Sequence, residues 1–214
     1  MNKSEKALLI ISELSDAKKI VSKPLKEVYE LIEQIGIKKG IYYMKDDYGN
    51  IKTLTGSQAT YTKFINVLKD LSKNYKVIDV IVHLHGDPMN LYFSDGIKKS
   101  SDISIGITNL NIGEKLRFLY STACYGAKHA DDFVNAGFKC ASGANCINMN
   151  PGTEYQRFLI YWTVGYPFAN ALNEASDPII NKVVDTAGKI GFSGCVDSNK
   201  IIRGTNKYVN KNSI

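Results

Sequence analysis

The sequence predicts an α/β fold in which a mostly parallel sheet is covered by helices on both faces, and three observations carry this. Residues 77–84 and 116–123 are near-continuous runs of β-branched, aromatic and aliphatic side chains. Such runs are the mark of strands buried on both faces. The segments leading into the first run alternate strand and helix signals, β-α-β-α-β, the order that right-handed crossovers and a parallel sheet require. A length of 214 residues is enough to give such a sheet a real core.

Taken in order, residues 7–11 are short, apolar and β-leaning, a first central strand. Residues 23–35 carry apolar side chains at Leu25, Val28, Leu31 and Ile32, a helical stripe with Pro24 suited to its first turn. Gly36 and Gly40 bracket the exit from that helix, residues 41–44 start another strand, and 46–50 form a turn cluster. The 55–58 segment offers an N-cap for a helix over 59–72, with Tyr61, Phe64, Ile65, Leu68 and Leu71 on one face. The strand at 77–84 follows. Leu91, Tyr92 and Phe93, a turn at Asp95 and Gly96, and a return over 97–101 make a small hairpin excursion off the main sheet. Ile103, Ile105, Ile107, Leu110 and Ile112 continue that excursion without clean helical spacing. After the strand at 116–123 come a helix over 127–136 closed by Gly137 and a short strand over 140–143. A long amphipathic helix is expected over 154–175, kinked around Gly165, Tyr166 and Pro167. Asp177 and Pro178 open a last helix through 187. The tail from about 205 is polar and reads as frayed. With no internal repeat or linker, residues 1–214 read as one domain.

Composition excludes more than it selects. The formal charge of +6 invites a nucleic-acid partner, but the Lys residues are spread along the chain with no basic run interleaved with aromatics. Solvated helix faces account for them. No run approaches the ~18 apolar residues of a membrane span, and the apolar residues at 7–11 are too few for a signal segment. Four Cys (124, 140, 146 and 195) without a CxxC pair make neither a disulfide-dense scaffold nor a zinc ribbon. The expectation is a reduced, cytoplasmic protein with no cofactor.

The chemistry concentrates where the two buried strands end. The first delivers His85 and Gly86, the second Cys124 followed by Tyr125, Gly126 and Ala127. In parallel sheets the carboxyl ends of the strands open onto the ligand crevice, so neighbouring strands would set an imidazole and a thiol on one rim. A Cys beside a His is a nucleophile with its base. Gly86 lets a substrate approach the backbone closely, and the amides of Gly86 and Cys124 would form an oxyanion hole. Cys124 also precedes a helix start, a position expected to lower a thiol pKa. These features together read as a cysteine hydrolase.

His-Gly closing one strand and Ala-Cys closing the next, with a hairpin excursion between them, resembles the caspase-like (clan CD) cysteine peptidases. That group includes caspases, metacaspases, gingipains, clostripain-like enzymes and the CHAT peptidases. Residues 55–71 are similar to the helix these families place before the His strand, and 135–143 to their passage from helix to strand after the Cys. Leu84 stands where many members have Gly or Ser. The resemblance implies a three-layer α/β/α sandwich with a mostly parallel sheet of about six strands. It also implies a His85–Cys124 dyad, with the Gly86 and Cys124 amides as oxyanion donors, that hydrolyses peptide or protein substrates through an acyl-enzyme.

In this family the pocket for the residue before the scissile bond is built from loops after the first, Cys-bearing and following strands. Here those loops hold Glu13 and Asp16, then Asn145, Asn148 and Glu154. An acidic pocket would favour Lys or Arg. Two alternatives stand beside the peptidase. His83, Leu84, His85, Gly86 and Asp87 resemble the start of the metallo-β-lactamase His-x-His-x-Asp-His motif, and His83 and His85 share a strand face. Pro88, however, takes the place of the next His. The other alternative is a caspase-like scaffold or binding module without turnover.

Overall fold

The computed structural model describes residues 1–15 and 23–213. Asp16 lies outside the described residues, as do the side chains of Pro24, Leu25 and Val28. The elements run β1 (Lys6–Glu13), α1 (Lys23–Met44), β2 (Asn50–Thr55), α2 (Tyr61–Asn74), β3 (Val77–Gly86), β4 (Asn90–Phe93), β5 (Gly96–Lys99), α3 (Ser100–Thr108), β6 (Leu116–Ser121), α4 (Gly126–Asn135), β7 (Cys140–Ala144), α5 (Pro151–Thr163), α6 (Phe168–Ala175), α7 (Pro178–Gly191) and β8 (Lys200–Arg203). Six strands lie side by side in the order β2-β1-β3-β6-β7-β8, with β4 and β5 hung from β3 as an antiparallel hairpin. The β1–β2, β1–β3, β3–β6 and β6–β7 pairs are parallel, and of these six strands β8 alone runs antiparallel to its neighbour. This is the mostly parallel sheet that the sequence predicts, with the six strands that the family resemblance implies.

Alternation along the strands sorts the core into two layers. Leu9, Ile11, Val80, Val82 and Leu119 face Phe64 and Leu68 of α2, Ile103 of α3 and Phe133 of α4. Leu8, Ile10, Ile81, Phe118 and Tyr120 face Met44 of α1, Tyr155, Phe158 and Trp162 of α5, and Phe168 of α6. The second layer is largely aromatic: Tyr120 stacks on Phe158 with ring centroids 4.5 Å apart.

Several expectations are corrected. Residues 41–44 are the last turn of α1, and the strand follows them at 50–55. Gly36 and Gly40 do not end the helix, because they serve its packing. A side chain at Gly40 would lie 2.6 Å from both Ile10 Cδ1 and the Tyr155 hydroxyl. Among the described side chains and glycines of α1, Glu33, Gly40 and Met44 are buried, while Leu31 and Ile32 are exposed. Residues 56–58 form a separate 3-10 turn, and the N-cap of α2 is Thr60, whose hydroxyl accepts from the Lys63 amide. The apolar stretch after the hairpin is the helix α3, with Ile103 and Ile107 buried and Ile105 outward. The long helix is two, broken where Gly165 takes φ +101° ahead of Pro167. β8 carried no sequence signal.

The tail is docked. Val209 is buried against the aromatic layer, and the Phe168 amide donates to its carbonyl at 2.8 Å. A disulfide joins Cys146 to Cys195 across 49 positions, leaving Cys124 and Cys140 as free thiols. Disulfides persist in oxidising surroundings. This bond corrects the expectation that all four cysteines are reduced. Among the described residues no helix is long and apolar enough to cross a membrane.

Candidate active site

Strand register brings the sequence-predicted residues to one rim. Val82 of β3 pairs with Ser121 of β6, and His85 and Cys124 each lie three residues beyond that pair. Ser12 of β1 pairs with His83 of β3. Period-2 alternation then lays two rows across three neighbouring strand ends on the face covered by α1 and α5. Ser12, His83 and Thr122 form an inner row; Leu14, His85 and Cys124 form an outer row two residues further along. All six line one cavity of about 310 Å³, closed by Tyr29, Glu33 and Gly36 of α1 and by Pro151, Gly152 and Tyr155 of α5.

His85 is held in place by a group the sequence reading missed. Its Nε2 lies 2.8 Å from the Leu14 carbonyl, which only accepts, so Nε2 carries the proton and Nδ1 keeps a lone pair. Tyr29 meets the ring edge-on at 5.2 Å. A main-chain carbonyl leaves no side-chain signal, which is why residue types could not point to it.

Gly86 sits where no side chain fits. An added Cβ would lie 2.7 Å from the Cys124 carbonyl oxygen and 3.0 Å from His129 Cε1. The following turn is tied down by Asp87, whose Oδ1 accepts from the amides of Met89 (2.8 Å) and Asn90 (2.9 Å) and whose Oδ2 accepts from the Tyr92 hydroxyl (2.7 Å). His129, fully buried on α4, donates from Nε2 to the Asp87 carbonyl at 2.7 Å. Against burial, which would raise it, the Asn90 side chain, the Met89 amide, the Tyr92 hydroxyl and the Asn90 amide hold the Asp87 carboxyl below its ordinary pKa. His129 and Asp87 are therefore positioning residues for the His-Gly corner.

Cys124 is partly buried, and that burial raises its thiol pKa in spite of the Asn148 amide 3.5 Å from Sγ and the positive charge of Lys200. The thiol pKa is thus raised where a lowering was expected, because desolvation outweighs the Asn148 amide and the Lys200 charge. Tyr125, the next residue, adopts the left-handed conformation (φ 56°), with its amide donating to the Cys146 carbonyl at 2.7 Å. A non-glycine residue there is held by its surroundings, as is common beside functional groups.

The five specificity candidates separate. Asn148 lines the cavity and donates from Nδ2 to the Thr122 carbonyl at 3.0 Å. Glu13 is fully buried at the end of β1. Glu154 is buried in an ion pair with Lys200 at 3.3 Å. Asn145 is exposed and bonds Asp197, and Asp16 lies outside the described residues. The carboxylate on the cavity wall is Glu33, which the sequence reading did not single out. Its Oε1 accepts from the Leu14 amide at 2.6 Å. As for metal chemistry, His83 Nδ1 is engaged by Thr122 at 3.0 Å and Asp87 by its own turn. Among the described residues no three His, Cys, Asp or Glu come together as ligands.

No protein-family model matches this chain, and no curated protein matches it. Solved structures do. A caspase-1 from Spodoptera frugiperda superposes with a TM-score of 0.61 at 11% identity, covering 94% of this chain and 87% of that one. At that identity the likeness defines the fold. The chain has the caspase-like α/β sandwich fold.

Proposed function

We propose that the protein is a cysteine peptidase in which Cys124 is the nucleophile and His85 the acid and base. The observation that carries this reading is the single cavity lined by both side chains, with His85 turned by the Leu14 carbonyl so that Nδ1 is its basic nitrogen. In the resting site the thiol keeps its proton. On substrate binding the proton passes to Nδ1 and sulfur attacks the scissile carbonyl carbon. The amides of Gly86 and Cys124 stabilise the resulting oxyanion. Protonated His85 then gives its proton to the leaving amine, and water, deprotonated by the same nitrogen, releases the acyl group.

The test is hydrolysis of a fluorogenic peptide library, together with labelling by an electrophilic peptidyl probe. Cys124→Ala should abolish both signals, and His85→Ala should lower kcat/KM by roughly 10²–10⁴. A folded wild-type protein that neither cleaves nor labels is a scaffold. Turnover that survives Cys124→Ala and is lost to a chelator is metal hydrolysis.

A further inference from the structure

The inner row of the cavity carries polar atoms that the dyad chemistry does not use. The Thr122 hydroxyl lies 3.3 Å from the Val82 carbonyl, to which it can donate, and 3.0 Å from His83 Nδ1, from which it can then accept. In that arrangement His83 bears its proton on Nδ1 and presents Nε2 as a bare acceptor. Burial and the nearby positive charge of Lys200 keep this ring neutral, with its pKa lowered to about 3. His83 Nε2 and Ser12 Oγ are buried without a hydrogen-bond partner among the described residues. Both residues line the cavity. Native interiors seldom leave such atoms unsatisfied, so two on one cavity point to a ligand group that completes them.

The remaining lining sets the character of that group. Leu14, Tyr29, Ile32 and Ile35 make apolar walls. Charge recognition is weak: Lys39 also lines the cavity, and the Glu33 carboxylate is already engaged by the Leu14 amide and the Ser15 side chain. Depth sets the length. Two residues along a strand separate the outer row from the inner by about 6.6 Å. A tyrosine spans roughly 6.5 Å from Cα to its hydroxyl.

The geometry points to a pocket for the substrate residue preceding the scissile bond that takes an uncharged aromatic side chain with a hydroxyl tip, tyrosine, donating to His83 Nε2. This assignment rests on the peptidase reading for its place in the substrate, but the pocket is testable without turnover. Fluorogenic peptides differing only at that residue should be cleaved in the order tyrosine, phenylalanine, then lysine and aspartate. Tyrosine should lead phenylalanine by at least about tenfold, since a site built to hydrogen-bond a hydroxyl rejects the analogue lacking it. His83→Leu should erase that preference. Gly36→Leu projects into the cavity, where an added Cβ already meets His83 Nε2 at 3.7 Å. It should cut the tyrosine-to-alanine ratio by ~100-fold, while iodoacetamide labelling of Cys124 reports that the fold is intact. Lysine or aspartate ahead of tyrosine, or phenylalanine equal to it, overturns the assignment. In parallel, Cys124→Ala protein is titrated with N-acetyl-tyrosine amide and N-acetyl-phenylalanine amide by NMR. Tyrosine-selective shifts at His83 without turnover in the wild type leave the pocket standing and remove the peptidase; no selective binding overturns the pocket.

Discussion

At the residue scale, the two free thiols are set apart by what surrounds them. Cys140 is fully buried, its Sγ 3.8 Å from the Arg117 carbonyl, and desolvation raises its pKa far out of the physiological range. Cys124 is raised too, but it opens onto the cavity. Burial penalises the charged thiolate, so the folded-state pKa lies above the ordinary value of about 8.5 and the neutral thiol prevails at pH 7. In the folded protein, alkylation of Cys124 by iodoacetamide should keep rising beyond pH 9, whereas in urea it should level off near the ordinary thiol value. Mass spectrometry should find Cys140 unmodified until the chain unfolds. A plateau in the native protein below pH 8 would mean a resting thiolate, stabilised by His85 more than burial opposes it. The same contrast shows what residue types convey on their own. Cys124 and His85 were legible because each ends a buried strand. Leu14, whose carbonyl orients the imidazole, was not, because its contribution is main-chain.

At the scale of elements, the segment after β7 bears on the site most directly. Residues 145–150 carry Asn148, which touches both Cys124 and Thr122, and they are laced to the approach to β8. The Ile147 amide donates to the Cys195 carbonyl, the Cys146 amide to that of Asp197, and the Met149 amide to Ser198 Oγ. The Cys146–Cys195 disulfide closes this clasp. Cross-linking a loop of 49 positions restricts the unfolded chain by about 4 kcal/mol in the loop-entropy treatment. Replacing both cysteines by serine should lower the urea midpoint accordingly. It should also reduce kcat/KM more than it slows iodoacetamide labelling, because the thiol remains while its Asn148 support loosens. Equal urea midpoints for the two proteins would show that the hydrogen bonds alone hold the clasp. The bond was invisible in the sequence, since its two halves lie far apart and join no recognised spacing. The strands β1, β3 and β6 were legible because burial on both faces demands continuous apolar runs. α1 was cut short because Gly36 and Gly40, usual stop signals, are here the residues that let the helix lie close to His83 and Ile10. β8 was missed because four residues with charged ends give no periodicity.

At the scale of the whole molecule, the sheet has two working ends. The carboxyl ends of the strands hold the cavity; the opposite end holds a buried ionic knot. Arg117 on β6 is 1% exposed, and its Nη2 lies 2.5 Å from Asp79 Oδ2 on β3. Asp79 also accepts from the Tyr48 hydroxyl at 2.6 Å and the Phe118 amide at 3.1 Å. Arg117 Nη1 donates to the carbonyls of Asn210 (2.9 Å) and Ser213 (3.0 Å), so the knot fastens the C-terminal segment as well as two central strands. Its partners hold the guanidinium charged against the opposing effect of burial. Removing one partner of a buried pair leaves the other charge uncompensated, a loss of about 3–5 kcal/mol. Arg117→Met should therefore destabilise the protein by that amount in urea unfolding. Deleting residues 205–214 should cost less, because Asp79 keeps its guanidinium. The two changes share the Asn210 and Ser213 carbonyls, so combined they should cost less than their sum. Strict additivity would mean that the tail is held by Val209 and the Phe168 amide, with the arginine serving the strands alone.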